Sequence, residues 1–161
     1  MVFRIEEISL DGGARLGISP LPGRWGEGLA DISSILKWGA DIVVSMTEQS
    51  EMERHNMGDL GAVLEQAGCQ WCHFPIRDFG APSPEADWQG LAPKLHAVLD
   101  EGGAVLAHCY GGQGRSGMVL LRLLVERGVA PLAALNLLRS IRPGAVETDA
   151  QFDWAAQASK H

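Results

Sequence analysis

Residues 104–117 read Ala-Val-Leu-Ala-His-Cys-Tyr-Gly-Gly-Gln-Gly-Arg-Ser-Gly. The first five form a short apolar run of the kind that fills a central strand covered on both faces. A glycine-rich turn follows, and residues 115–127 then carry apolar side chains at helical spacing up to Gly128. Strand, glycine turn and helix in immediate succession are the building unit of an α/β domain, whose ligands sit beyond the carboxyl ends of the strands. One string therefore marks both the fold class and the place to look for chemistry.

Upstream, residues 2–10 and 14–19 flank Asp11-Gly12-Gly13, which predicts a hairpin. Residues 27–38 place Leu29, Ile32, Ile35 and Leu36 on one helical face, and Asp41–Met46 reads as a buried parallel strand. A helix is expected over 57–67, ended by Gly68, then a strand at Trp71–Phe74 stopped by Pro75. The loop from Arg77 to Pro84 carries Asp78 and leads, with Ser83 as N-cap and Pro84 at N1, into a helix over 85–99. Further helices are expected at 131–140, with Pro131 at the start, and at 149–159. The alternation predicts a single α/β domain spanning residues 1–161, with a central mixed, mostly parallel sheet flanked by helices.

The 161 residues are 46% apolar and 20% charged, enough for a real core. A formal charge of −7 argues against nucleic acid or an anionic membrane as partner, because both demand an extended basic surface. Any anion site must be local. The start, Met-Val-Phe-Arg-Ile-Glu-Glu, lacks the order of a secretory signal, and no apolar run reaches membrane-spanning length, so a cytoplasmic location is expected. Three cysteines cannot all pair within one chain, which leaves at least one as a thiol.

The glycines at 111, 112 and 114 let the chain from Tyr110 through Gln113 to Arg115 curl so that successive N–H groups converge, and the following helix points its positive end at the same spot. Such a cradle accepts a phosphoryl group, and equally phosphate, sulfate or vanadate. Arg115 adds a planar fork able to bridge two equatorial oxygens. Cys109 at its base lies where the thiolate, the form that attacks phosphorus, is favoured. Three glycines and an arginine within six residues of a cysteine are poor packing and a good oxyanion site.

His108-Cys109, followed after five residues by Arg115-Ser116, resembles the signature of the protein tyrosine and dual-specificity phosphatase superfamily. With Phe74-Pro75-Ile76-x-Asp78 upstream and Arg142-Pro143-Gly144-Ala145-Val146-Glu147-Thr148 downstream, the wording is similar to the kinase-associated phosphatase branch. The resemblance implies the phosphatase fold and a phosphocysteine intermediate, without metal or cofactor. It casts Asp78 as the general acid, Ser116 as donor to the Cys109 sulfur, and His108 as a residue that orders the loop. It also implies polar side chains after the signature that place water, and Glu147 and Gln151 fall there, although Thr148 and Gln151 equally form a capping box. Asp87 is a second candidate acid, and Trp88 a candidate substrate contact.

The expected substrate is a phosphorylated protein or peptide, phosphotyrosine with phosphoserine or phosphothreonine as an extension. A phosphoinositide or other small phosphate ester is the alternative, less favoured because no lysine lies between Tyr110 and Gly114. Sulfurtransfer and silent phosphopeptide binding are readings from other classes. Cys69 and Cys72 are expected in the core, with a reversible disulfide to Cys109 as a further possibility.

Overall fold

A computed structural model describes residues 2–158. Its sheet has five strands in the order β1-β2-β5-β3-β4, where β1 is Glu6–Ser9, β2 Arg15–Ser19, β3 Ile42–Ser45, β4 Gln70–His73 and β5 Ala104–His108. Only β1 and β2 are antiparallel, joined by a short 3-10 turn at Asp11–Gly13 in which Gly12 and Gly13 have positive φ. The expected mixed, mostly parallel sheet is thus present, with β5 at its centre.

All five residues of β5 and all four of β3 are buried, as strands covered on both faces must be. Their side chains alternate between two cores. Ile42, Val44, Val105 and Ala107 join the larger core, together with residues of α4 (Trp88–Asp100), α5 (Gly114–Glu126), α6 (Pro131–Ile141) and α7 (Asp149–Ala156). Val43 and Leu106 join the smaller one, with α1 (Gly28–Trp38) and α3 (Leu60–Gln66). Helices therefore cover both faces, and β5 is held between them with its carboxyl end free for the loop that follows.

Four expectations about helices are corrected. The inward face of α1 is Asp31, Ile32 and Ile35, while Leu29 is 85% exposed and Leu36 also faces out. The reason is polar: the Asp31 carboxylate accepts from Gly23 N–H at 2.8 Å, tying the first turn of the helix to the 20–25 loop and rotating Leu29 away. Helix α4 starts at Trp88 and not behind Ser83-Pro84, because Asp87 is the cap and accepts from Gly90 N–H at 2.9 Å. An extra helix, α2 (Gln49–Glu53), follows β3 through a capping box between Glu48 and Glu51. The expected helix 149–159 ends at Ala156, and its last residue lies outside the described residues. No helix among the described residues is long and apolar enough to cross a membrane.

Candidate active site

Cys109 follows directly on β5 and is 3% exposed. The chain then wraps from Tyr110 to Gln113 before α5 begins, and the outer side of this wrap is bonded peptide by peptide. The Tyr110 carbonyl accepts from Leu21 N–H at 3.1 Å and Arg24 Nη1 at 3.4 Å. Arg142 donates through Nη2 to the Gly111 carbonyl at 2.8 Å and through Nε to that of Gly112 at 2.9 Å, and the Gln113 carbonyl takes N–H groups from Gly117 and Val146. In a planar trans peptide the N–H points opposite to the C=O. Fixing these carbonyls outward therefore turns the N–H groups of residues 111–114 inward, and those of Gly111, Gly112 and Gln113 donate to no acceptor among the described residues.

Two of the glycines have separate reasons. Gly112 has φ +70°, and a Cβ there would lie 2.6 Å from the backbone nitrogen of Pro20. Gly114 has ordinary φ, but a Cβ would collide with the Glu147 carboxylate. The cradle is consequently both tightly curled and closely backed.

Arg115 lies across it, 1% exposed. Its Nη1 and Nη2 donate to the two oxygens of Glu51 at 2.8 and 2.9 Å, and Nη1 also reaches the Ile76 carbonyl at 2.9 Å. Nη2 meets Asp78 Oδ1 at 3.2 Å, while Nε is buried with no partner. Burial works against the guanidinium charge, but the Glu51 hydrogen bond and the charges of Cys109, Glu51 and Asp78 outweigh it and hold the proton more firmly than usual. For Glu51, burial pushes the carboxyl up, and the bonds from Arg115 and the Glu48 amide bring it below its ordinary range. The pair is thus fully charged at neutral pH, and Nε–H, which has no partner, lies parallel to the Nη2–H that faces Asp78, so that an anion displacing Asp78 meets a two-pronged fork.

Cys109 Sγ lies 3.2 Å from Ser116 Oγ, both buried. Beneath them runs a relay that sets a tautomer. The Cys109 carbonyl can only accept, so the ring proton of the neutral His108 lies on Nδ1 and Nε2 is an acceptor that takes the Ser45 Oγ proton at 2.5 Å, while Trp71 Nε1 donates to the same Ser45 Oγ at 2.7 Å. The Nδ1 to Cys109 carbonyl distance is 3.2 Å. Full burial presses His108 down to about 4, so the ring is neutral at working pH.

Asp78 stands half exposed on the loop after β4, with Phe79 beside it at φ +62°. That loop is tethered by Gln151, whose Nε2 donates to the Gly80 carbonyl at 3.0 Å. Gln151 Oε1 accepts from the amides of Glu147 and Thr148, so the buried side chain serves the α7 cap and the loop together. Asp87 caps α4, and Trp88 is buried with Nε1 on Glu126, which removes both from the candidate site. Cys72 pairs with Val44, which pairs with Ala107, two strands across. Two strand spacings come to about 9.6 Å, beyond the roughly 7 Å that a disulfide allows between Cα atoms. Cys69 sits in the other core, so no disulfide to Cys109 is within reach of this sheet.

Sequence reasoning missed Glu51, Ser45, Trp71, Arg24 and Arg142. Glu51 left a local trace in the Glu48-x-x-Glu51 spacing of a capping box, and Arg142 heads the downstream string already quoted, though nothing there assigned it to the cradle.

Residues 29–129 match the family model described as "Polymorphic toxin system, DSP-PTPase phosphatase". A solved structure of kinase associated phosphatase, with serine in place of its catalytic-site cysteine, superposes with a TM-score of 0.84 at 25% identity over 96% of this chain and 93% of that one. Tk-PTP in its active form gives 0.69 at 31% identity, with 92% of each chain covered. Among curated proteins, cyclin-dependent kinase inhibitor 3 of Mus musculus is 29% identical over 126 residues, 77% of this chain. The match spans 59% of that relative's length.

Proposed function

Since the chain belongs to the cysteine-dependent protein tyrosine and dual-specificity phosphatase superfamily, we propose that residues 1–161 act as one domain hydrolysing phosphate monoesters on proteins or peptides. The observation that carries the proposal is the juxtaposition of Cys109 with unpaired cradle amides and a buried Arg115 whose Nε has no partner. A phosphoryl dianion supplies the acceptors that these donors lack.

The Cys109 thiolate attacks phosphorus in line, and the cradle amides and Arg115 hold the equatorial oxygens. A phosphoryl oxygen at Nη2 takes the place of Asp78, releasing that carboxyl group to protonate the leaving oxygen. Asp78 then accepts a proton from the water that attacks phosphocysteine, while Ser116 donates to the departing sulfur. His108 orients the Cys109 peptide, and Gln151 keeps the Asp78 loop over the cradle. Phosphotyrosine is the primary substrate, with phosphoserine and phosphothreonine also accepted. Three free thiols fit a reducing cytoplasm.

Hydrolysis of an aryl phosphate from pH 4.5 to 8, compared among wild type, Cys109→Ser and Asp78→Asn, tests this reading. Cys109→Ser should be inert and Asp78→Asn should lose the alkaline limb of the profile. Activity retained in Cys109→Ser would overturn it.

A further inference from the structure

Two clefts meet at His55. The first, lined by Glu51, Arg54, His55, Asp78 and Tyr110, is the mouth of the cradle. The second, about 390 Å³, lies between the start of α1 and the chain that joins α2 to α3. Its floor is apolar, made by Ile32, Met57 and Val63, with Leu29 at the edge. His55 lines both, and its ring lies 5.3 Å from that of Tyr110, so the two clefts are continuous along the surface.

The second cleft is held open by its neighbours. Asp31 takes the inward position of the first turn of α1 by accepting from Gly23 N–H at 2.8 Å, which turns Leu29 out to 85% exposure. Gly23 and Gly28 lay bare backbone against Met57, and a Cβ at either would lie 2.6 or 2.8 Å from its Sδ and displace that side chain. Glu27 and Asp59 stand exposed at the rim, each directly before a helix, yet neither side chain caps the helix it precedes. Neither forms an ion pair among the described residues, and no lysine or arginine lines the cleft. A helix start carries about half a positive charge and each carboxylate a full negative one, so the balance at the rim is negative.

We propose that this cleft takes a basic side chain, lysine or arginine, of a peptide substrate whose phosphorylated residue occupies the cradle. The proposal rests on the phosphatase reading and adds to it a preference for a basic flanking residue. The aliphatic stem lies on Leu29, Met57 and Val63, and the cationic head reaches Glu27 and Asp59, the usual division of a long basic side chain between apolar surface and water. An apolar side chain gains the floor alone, and an acidic one meets two like charges. The formal charge of −7 draws a basic peptide toward the surface, and the cleft fixes where along the peptide the charge must sit.

The test uses matched peptides with one phosphotyrosine and arginine, norleucine or glutamate at successive flanking positions. Binding is measured by calorimetry on Cys109→Ser, and kcat/KM on the wild-type catalytic background. At one position arginine should be favoured over glutamate about tenfold and over norleucine about threefold at low ionic strength, and both ratios should shrink as salt is raised. Glu27→Gln combined with Asp59→Asn should bring arginine down to norleucine, and Glu27→Gln combined with Asp59→Lys should favour glutamate at the same position. Leu29→Ser should weaken arginine and norleucine alike. Turnover of a small aryl phosphate should stay within about twofold in all these variants, which shows that each is folded with its cradle intact. A gain from arginine that is uniform at every position would report net charge alone and overturn the subsite. Norleucine equal to arginine in wild type, or a preference untouched by the double neutral substitution, would overturn it too. Turnover of the aryl phosphate with no peptide bound removes the subsite and leaves the phosphatase reading standing. If neither peptide nor aryl phosphate is turned over, the phosphatase reading itself falls and the subsite with it.

Discussion

Two carboxylates reach the Arg115 guanidinium, and they come from opposite kinds of structure. Glu51 sits in a capped helical turn, is buried, and meets both terminal nitrogens at 2.8 and 2.9 Å. Asp78 sits on a half-exposed loop and touches one of those nitrogens at 3.2 Å. The first contact is bidentate and nearly buried on both sides, so it fixes the arginine. The second is solvated, long and easily exchanged. One guanidinium is thereby held on its far side and left available on its near side, where an anion can displace the weaker partner. A charged pair in a site can be scaffold or moving part, and burial with geometry distinguishes them.

Breaking the shared member should have the largest effect. Arg115→Lys keeps the charge but loses the fork, and kcat/KM on an aryl phosphate is expected to fall about 10³-fold. Asp78→Asn should cost about 10²-fold with poor leaving groups and far less with activated ones, with the denaturation midpoint unchanged. Glu51→Gln should act on both measures, lowering kcat/KM about tenfold or more and stability by about 3 kcal/mol in urea denaturation, because it leaves a buried guanidinium under-compensated. Equal midpoints for Asp78→Asn and Glu51→Gln would erase the distinction between moving part and scaffold. Gln151→Ala frees the loop at Gly80 and is expected to lower kcat several-fold, with KM much less affected.

The smallest effect on activity near neutrality, and a large one on stability, belongs to pH acting on His108. Its value falls from 6.5 to about 4 on folding, so between these limits the unfolded chain binds more protons. Stability is complete above about 6.5 and declines as pH drops toward 4, by roughly 3 kcal/mol over the window. Glu51 and Glu126, held below their ordinary range, also lose stabilisation on acidification. The comparison must therefore be with His108→Gln, whose stability should decline less steeply over this interval. Identical slopes would remove the buried neutral histidine from the account.

The same contrast between local and distant determinants governs what was legible in the sequence. The buried run 104–108, the glycines after Cys109 and the spacing to Arg115 are contiguous, so periodicity and turn chemistry suffice to find them. Asp78 became visible through resemblance, and the loop geometry brings it to Arg115. Glu51 was hidden because a five-residue helix has too little periodicity to be detected, and its partner is 64 positions away. Ser45 and Trp71 act on His108 only through strand register, which no local pattern encodes. The exposed Leu29 misled because Asp31, a polar residue, took the inward position by bonding Gly23.

The central claim is that the Cys109 sulfur takes the phosphoryl group. Rapid acid quench of wild-type enzyme during turnover of an aryl phosphate, followed by mass spectrometry of the peptide containing Cys109, tests it directly. The account predicts one phosphoryl group on Cys109, with none on the corresponding peptide of Cys109→Ser. Steady turnover in which the phosphoryl group is carried by another side chain, or in which Cys109→Ser remains active, would contradict it.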